Sequence, residues 1–217
     1  MDEEIKKNML KTGTSILGIV CKDGIVMAAD RQVTAGNMVM SKKEKKVSQI
    51  NDYLVGAWCG NASDAQMLVK IIIAELRLKE LGSKQRPSVK TAANLAANLS
   101  FRNIRQMSMI PSIAGTIIGG FNEDGTTELY TIEPAGSIIK VEDYDANFGS
   151  GMPFILGLLE RGYKKDMTIK EGVDLAIDCL KSSTQRDTGS GYGMDVFVIT
   201  KDGITQAVSK EIISELK

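Results

Sequence analysis

A threonine at position 14, directly after Gly13, opens the first apolar stretch of this 217-residue chain. The chain contains no histidine, so it cannot form a Ser-His-Asp or Cys-His arrangement or a zinc site that uses imidazole. A hydrolase built from these residues would need a lysine, a carboxylate or an α-amine as its base near neutral pH. An α-amine has an unperturbed pKa of about 7.7–8.0, which suits a general base. We therefore hypothesise that Thr14 is a nucleophile activated by its own amino group once the Gly13–Thr14 bond is cut.

Two charged residues farther along the chain are candidates for supporting this nucleophile. Asp30 follows the apolar run 24–29, and Lys46 lies thirty-two residues after Thr14. Each also has a simpler interpretation, because Asp30 can end a strand and a lysine within the charged run 41–46 usually belongs to a solvated face. Taken alone, Thr14 is also more often an ordinary strand residue.

Composition limits the classes of partner. The formal net charge is zero and there is no basic stripe with interleaved aromatic residues, so nucleic acid is not expected as a partner. The first ten residues lack the apolar core of a signal peptide, and no run is long enough for a membrane span, so no membrane contact is expected. Three widely spaced cysteines, Cys21, Cys59 and Cys179, match neither a disulfide framework nor a zinc site. We expect a cytoplasmic protein without metal or cofactor.

Hairpins and helices are expected to position these residues. Asp-Gly dipeptides between apolar runs predict hairpin turns, since glycine supplies the positive φ of a tight turn, at 23–24, 124–125 and 202–203. Strands are predicted over 14–21, 24–31, 37–40, 53–59, 113–121, 128–132, 137–141, 146–148, 194–200 and 204–208. Helices are predicted from 60–64 to 82, from 88 to about 109, from 152 to about 162 and from 168 to about 185. Thr168 and Glu171 form the sequence pattern of a capping box.

The order of these elements predicts the architecture. Hairpins favour antiparallel pairing, and strands that are apolar on both faces need cover on both sides. Two packed sheets with a helix pair outside each sheet satisfy both requirements. We therefore predict one domain of the mixed α/β (α+β) class, a four-layer αββα sandwich of two antiparallel sheets.

A series of motifs in fixed order carries a family resemblance. The motifs are Thr12-Gly13-Thr14, Ala29-Asp30-Arg31 with Thr34, Lys46, Gly60, Gly149-Ser150-Gly151 and Gln185-Arg186-Asp187-Thr188-Gly189-Ser190-Gly191. Each motif is weak evidence by itself. In this order and with this spacing, the chain resembles the archaeal proteasome β subunits, which are N-terminal-nucleophile (Ntn) hydrolases, from Thr12 to the last strands.

The resemblance implies a catalytic group of six residues: Thr14, Asp30, Lys46, Ser150, Asp187 and Ser190. The Thr14 hydroxyl would attack the scissile carbonyl and its α-amine would accept the proton. Asp30 and Lys46 would form a buried pair in which Lys46 helps to hold the hydroxyl ready for attack. The other three residues would orient the α-amine. Two of these residues also have a purely structural interpretation, because Ser150 can be a helix cap and Asp187 can stabilise a turn.

The resemblance also implies how substrate is bound. The backbone N–H of Gly60 would stabilise the oxyanion, and Thr34 would hold the substrate backbone as an added strand. Val33, Trp58 and Ala62 would line the specificity pocket, with Trp58 on the same side of its strand as Gly60. A bulky indole there is a departure that would shrink or close the pocket, unless Trp58 is only packing.

Maturation and assembly follow from the same resemblance. Residues 1–13 would be a propeptide removed by autocleavage at Gly13–Thr14, which leaves 14–217 as the Ntn-hydrolase domain. Subunits would form heptameric β rings, with rings of α subunits and an unfolding ATPase controlling the entry of unfolded polypeptides. Ser15 replaces a threonine that often follows the nucleophile in the family.

Two other interpretations concern the same fold. The chain could be a structural subunit of the β ring that is never processed and has little or no peptidase activity. A bacterial relative with six-membered rings fits less well, because that family is shorter beyond the last catalytic loop.

Overall fold

The computed structural model describes residues 13–108 and 112–211. Their strands are β1 Ile16–Cys21, β2 Gly24–Asp30, β3 Val33–Ala35, β4 Met38–Ser41, β5 Val47–Asn51, β6 Leu54–Gly60, β7 Ala114–Phe121, β8 Thr127–Ile132, β9 Ile138–Val141, β10 Tyr144–Asp145, β11 Gly193–Thr200 and β12 Gly203–Glu211. Their helices are α1 Ala62–Ser83, α2 Val89–Arg105, α3 Met152–Gly162 and α4 Ile169–Arg186. No helix among them is long and apolar enough to cross a membrane.

Two five-stranded antiparallel sheets form the centre of the molecule. One has the order β10-β1-β2-β11-β12 and the other the order β5-β6-β7-β8-β9, while β3 and β4 form a separate two-stranded ribbon. The β1–β2 hairpin pairs Ile16 with Ala29 and Cys21 with Gly24, as its Asp-Gly turn requires. Because side chains alternate along a strand, each sheet buries both of its faces.

Three apolar layers hold the sandwich together. The layer between the sheets includes Ile16, Met27, Ile117 and Phe197, all buried. Helices α1 and α2 cover the outer face of the β5–β9 sheet, and helices α3 and α4 cover the outer face of the other sheet. The four-layer αββα sandwich predicted from the sequence is therefore confirmed.

Several element boundaries differ from prediction. Helix α2 ends at Arg105 rather than near 109, because Gln106 already has an extended backbone. Helix α1 continues past Gly82 to Ser83, since Lys84 takes the left-handed conformation that ends it. The capping box of α4 is present, with Thr168 and Glu171 each accepting a backbone hydrogen bond.

Two strands were not predicted and one was placed wrongly. The ribbon strand β3 is short, and β5 has only two buried residues, Val47 and Ile50, and contains a register shift between Gln49 and Asn51. The short strand predicted at 146–148 instead lies at β10, because the Asp145 carboxylate accepts a hydrogen bond from the N–H of Asn147 (3.5 Å) as the chain turns away. The predicted propeptide, except for Gly13, lies outside the described residues.

Candidate active site

Thr14 lies at the entry to β1 and is almost fully buried, with 5% of its surface exposed. The Gly13–Thr14 bond is intact, and the Thr14 hydroxyl donates a hydrogen bond to the Gly13 carbonyl oxygen at 2.6 Å. The Thr14 carbonyl accepts from the N–H of Gly151 at 3.1 Å. Gly149 (φ +97°) passes so close that a Cβ there would lie 2.2 Å from the Thr14 carbonyl oxygen. The glycines around Ser150 therefore allow this loop to approach the threonine.

A buried ion pair reaches the same carbonyl. The Lys46 ammonium lies 2.8 Å from Asp30 Oδ1 and 3.2 Å from the Gly13 carbonyl oxygen. Lys46 is 6% exposed, whereas its neighbour Lys45 is exposed. The structure thus places Lys46, and not the other lysines of the charged run, beside Thr14.

Asp30 is fully buried and all of its lone pairs face donors. Oδ1 accepts from the N–H of Ser15 (2.9 Å) and from Lys46, while Oδ2 accepts from the N–H groups of Gln32 (2.9 Å) and Gly191 (3.0 Å). Burial is the largest influence on the pKa of Asp30 and raises it, while Lys46 and the N–H groups of Ser15 and Gly191 lower it. The backbone N–H groups of Ser15, Gln32 and Gly191 therefore hold the Asp30 end of the ion pair in place.

A second network, built from hydroxyls, meets the Thr14 nitrogen. The hydroxyls of Ser150 and Ser190 each donate to Asp187 Oδ2 at 2.6 Å, and the Thr14 N–H donates to Ser150 Oγ at 3.2 Å. Asp187 also ends α4, and its Oδ1 accepts from the N–H of Gly189 at 3.0 Å. Asp187 therefore stabilises a turn and belongs to the network, whereas Ser150 does not cap α3, whose cap is Gly151 without a side-chain hydrogen bond.

Ser15 and Gln32 belong to this site but were not predicted as site residues, although Ser15 was noted as a departure from the family. The buried Ser15 hydroxyl lies 2.8 Å from Ser190 Oγ, and a Cβ at Gly151 would lie 1.9 Å from it. The Gln32 side chain donates to the Thr188 carbonyl at 2.7 Å and so holds the loop that carries Asp187. One sequence signal for Ser15 was available, since it is a polar residue at the start of an otherwise apolar strand.

Gly13, the residue before Thr14, is held by a hydrogen bond to Thr34. Gly13 donates its N–H to the Thr34 hydroxyl at 2.9 Å. A Cβ on Gly13 would lie 2.1 Å from the Cα of Gly189, so only glycine fits between Thr34 and the Asp187 loop. The predicted cleavage site and the predicted substrate-binding threonine are therefore in direct contact.

A cavity opens beside the Gly13 carbonyl. It is lined by Gly13, Thr14, Val33, Glu44, Lys45, Lys46, Trp58, Cys59, Gly60, Ala62, Ala65 and Gln66. The structure thus brings together the three predicted pocket residues and Gly60. Gly60 ends β6 at φ +121°, and a Cβ there would lie 2.2 Å from the Ile113 carbonyl oxygen, so the position requires glycine.

Trp58 takes part in both packing and the cavity wall. Its side chain is 8% exposed and belongs to the apolar layer beneath α1 and α2, while it also lines the cavity. Trp58 is therefore not only a packing residue, and its effect on substrate binding stays a prediction. Burial raises the pKa of the neighbouring Cys59 thiol to about 12, so this cysteine is protonated at neutral pH.

Comparison with known proteins agrees with this arrangement. Residues 10–199 match the family described as "Proteasome subunit". The chain belongs to the proteasome subunit family. A proteasome subunit beta of Thermoplasma acidophilum is 38% identical over 209 residues, which cover 96% of this chain and 95% of that protein. Proteasome subunit beta of Methanobrevibacter smithii is 37% identical over 100% of this chain and 98% of its own length, and that of Methanocaldococcus jannaschii is 35% identical over 92% and 87%.

The site of this family member has the parts needed for an acyl shift within the chain. A hydroxyl lies beside the carbonyl of the peptide bond that precedes it, and a buried ammonium contacts the oxygen of that carbonyl. A donor so placed can stabilise negative charge that develops on the carbonyl oxygen. The Thr14 nitrogen, which would leave, already contacts a network that can hold it.

Proposed function

We propose that this chain is a catalytic proteasome β subunit, a threonine endopeptidase that degrades unfolded proteins to peptides. The observation that carries the proposal is the convergence of the Thr14 hydroxyl and the Lys46 ammonium on the Gly13 carbonyl oxygen, with Lys46 Nζ 3.2 Å from that oxygen and paired to Asp30. Neither an imidazole nor a metal is needed for this chemistry.

The first reaction is maturation. Thr14 Oγ1 attacks the Gly13 carbonyl carbon, the C–N bond to Thr14 breaks, and the hydroxyl proton passes to the departing nitrogen. The product is an ester between Gly13 and Thr14 Oγ1, which water then hydrolyses. Residues 1–13 leave as a propeptide with a free carboxylate, and Thr14 keeps a free α-amine.

The second reaction is peptide hydrolysis by the matured chain. The Thr14 hydroxyl attacks the substrate carbonyl and the α-amine accepts its proton, since an amine of this kind has a suitable pKa. The proton passes to the departing nitrogen as the peptide bond breaks, and water then hydrolyses the ester on Thr14 Oγ1 to release the second product and restore the hydroxyl. Ser150, Asp187 and Ser190 keep the α-amine in place, because Ser150 Oγ already lies 3.2 Å from the Thr14 nitrogen. The Gly60 N–H stabilises the oxyanion, and such a donor is typically worth about 3 kcal/mol.

Substrate is held along the edge that Gly13 occupies before maturation. Thr34 binds the substrate backbone as it binds the Gly13 N–H at 2.9 Å. Val33, Trp58 and Ala62 line the cavity that faces the substrate side chain.

We propose the assembly of the family for this chain. Subunits form heptameric β rings between rings of α subunits, and an unfolding ATPase supplies unfolded polypeptides. We place these particles in the cytoplasm, where the thiols of Cys21, Cys59 and Cys179 stay free.

Replacement of the nucleophile tests the proposal. We expect Thr14→Ala particles to keep residues 1–13 and to lose peptide hydrolysis, because no hydroxyl can attack the Gly13 carbonyl. Thr14→Ser is the matched control and should still be processed, since it keeps a hydroxyl. Intact-mass measurement and fluorogenic peptide hydrolysis give the two readouts, and normal hydrolysis by Thr14→Ala would refute the mechanism.

The second candidate is an unprocessed structural subunit of the same ring. The presence of the Trp58 indole in the cavity wall favours it, because a filled pocket would hinder substrate. The mass of assembled wild-type subunits distinguishes the two: retention of residues 1–13 supports the structural role, and their loss supports the enzyme.

A further inference from the structure

The cavity beside the Gly13 carbonyl is small. The volume open to the centre of a water molecule is about 30 Å3. Since one water needs roughly 10–15 Å3 on this measure, the space holds about two waters, comparable to a short side chain. Gly13 lines this cavity, so a residue whose carbonyl takes the place of the Gly13 carbonyl has its side chain next to it.

The indole of Trp58 is fixed in the wall rather than free to move aside. It belongs to the buried layer under α1, and it lies across Gly56, where an added Cβ would be 2.1 Å from Trp58 Cζ3. The backbone N–H of Trp58 donates to the Lys46 carbonyl at 3.0 Å. A long substrate side chain would therefore have to displace a packed aromatic ring, at a cost typical of overpacking.

The rim of the cavity does not favour a charged side chain. Glu44 and Lys45, of opposite charge, both line it, and Glu44 Oε1 accepts a hydrogen bond from the Gln66 amide at 3.0 Å. Deeper in, the small side chains of Ala62 and Ala65 leave an apolar wall. Lys46 also lines the cavity but is already paired with Asp30, so a charge placed against the apolar wall would lose its hydration without gaining an unpaired partner there.

We propose, on the basis of the proposed function, that this enzyme cleaves after short uncharged residues, alanine being the best. Trp58 sets the length limit, and the apolar wall excludes charged side chains. Substrates with phenylalanine, leucine or lysine before the scissile bond are poor.

Four fluorogenic tetrapeptides that differ only in the residue before the scissile bond test this inference on assembled wild-type particles. One missing or extra methylene in an apolar pocket changes kcat/KM by about 10–200-fold. We therefore expect kcat/KM for alanine to exceed that for leucine by at least about tenfold and that for phenylalanine or lysine by more. Equal rates for alanine and phenylalanine would overturn the inference.

Variants of Trp58 then identify the residue responsible. Trp58→Ala should raise the phenylalanine-to-alanine ratio of kcat/KM at least about tenfold, because the indole volume becomes available. Trp58→Phe keeps an aromatic ring in the core and should raise the ratio less, and it decides the matter if Trp58→Ala does not assemble. Leu68→Ala, which truncates the same buried layer away from the cavity, is the control and should leave the ratio unchanged.

The outcomes separate the two proposals. Unselective hydrolysis by processed wild-type particles, or an unchanged ratio in both Trp58 variants, overturns only the selectivity. Absence of hydrolysis of all four peptides together with retention of residues 1–13 overturns the proposed function as well.

Discussion

Asp30 and Arg31 are consecutive residues that enter two different buried ion pairs. Asp30 pairs with Lys46 at 2.8 Å, and Arg31 Nε pairs with Asp195 Oδ2 at 2.8 Å. All four side chains are nearly inaccessible, at 7% exposure or less. The chemistry and burial of the two pairs are alike, so neither property distinguishes a catalytic pair from a structural one.

The two pairs differ in the further group that the cation of each pair contacts. Lys46 also reaches the Gly13 carbonyl, the bond beside the nucleophile, at 3.2 Å. Arg31 instead donates to the Ser209 hydroxyl at 2.7 Å and so ties the end of β2 to β12. Asp30 is the last residue of β2 and Arg31 is the first residue beyond it, so one residue serves the reacting bond and the next one the sheet.

The largest effect is expected from Lys46→Met. Loss of a donor to a reacting carbonyl oxygen typically costs about 10²–10³-fold in rate. We therefore expect propeptide removal, measured by intact mass, to fall by at least that factor. Peptide hydrolysis, measured with fluorogenic peptides, should fall with it, because unprocessed Thr14 has no free α-amine. Near-normal rates would show that the pair is structural, like that of Arg31.

A pH series and a double variant serve as controls for Lys46→Met. Since Lys46 lowers the pKa of Asp30, its removal raises that pKa, and a raised folded-state pKa means that stability falls as pH rises. Chemical denaturation of Lys46→Met should thus show lower stability at pH 8 than at pH 5. Asp30→Asn with Lys46→Met should remove this pH dependence without restoring activity.

Arg31→Met should have the opposite effect. Removal of Arg31 leaves the buried Asp195 carboxylate without a cation, although the Gln206 amide still donates to it at 2.8 Å, and such a loss costs about 3–5 kcal/mol of stability. We expect a correspondingly lower denaturation midpoint, while particles that assemble keep kcat within about threefold of wild type, well below the cost of a lost catalytic donor. Adding Asp195→Asn should recover part of the stability; a large loss of kcat in assembled Arg31→Met particles would contradict the distinction.

The smallest effect is expected from Ser15→Ala. The variant removes one hydrogen bond to Ser190, worth about 1 kcal/mol or roughly fivefold in rate if it only orients the network. Steady-state hydrolysis by processed particles measures this. A loss as large as that of Lys46→Met would make Ser15 part of the proton path.

The sequence predicted the architecture because its strongest signals are local. Asp-Gly turns, a capping box and long apolar runs each depend on a few neighbouring residues. The ribbon strand β3 and the strand β5 were missed although each pairs with the next strand along the chain, because β3 is only three residues long and β5 is largely polar. Boundaries such as the end of α2 at Arg105 depend on single backbone angles that carry no sequence signal.

Part of the candidate site could also be predicted from the sequence, for a different reason. Its six proposed catalytic residues follow from the family resemblance that the order and spacing of the motifs carry. The structure places them in two networks, both of which reach the Gly13–Thr14 bond, and their roles stay predictions. Ser15 and Gln32 were missed because their partners lie more than 150 positions away, at Ser190 and Thr188. The size of the cavity could not be read from the sequence either, since it depends on how the Trp58 ring lies against Gly56.

The hydrogen bond from the Gly13 N–H to Thr34 places the propeptide in the proposed substrate site, so that release of the propeptide can be used to count the active sites. In the proposed mechanism the first reaction of every subunit is cleavage of its own chain, which occupies the site that later binds substrate polypeptides. That event happens once per subunit and releases one propeptide of known composition. The molar yield of this peptide during assembly therefore equals the number of competent centres, a stoichiometric titration that needs no inhibitor.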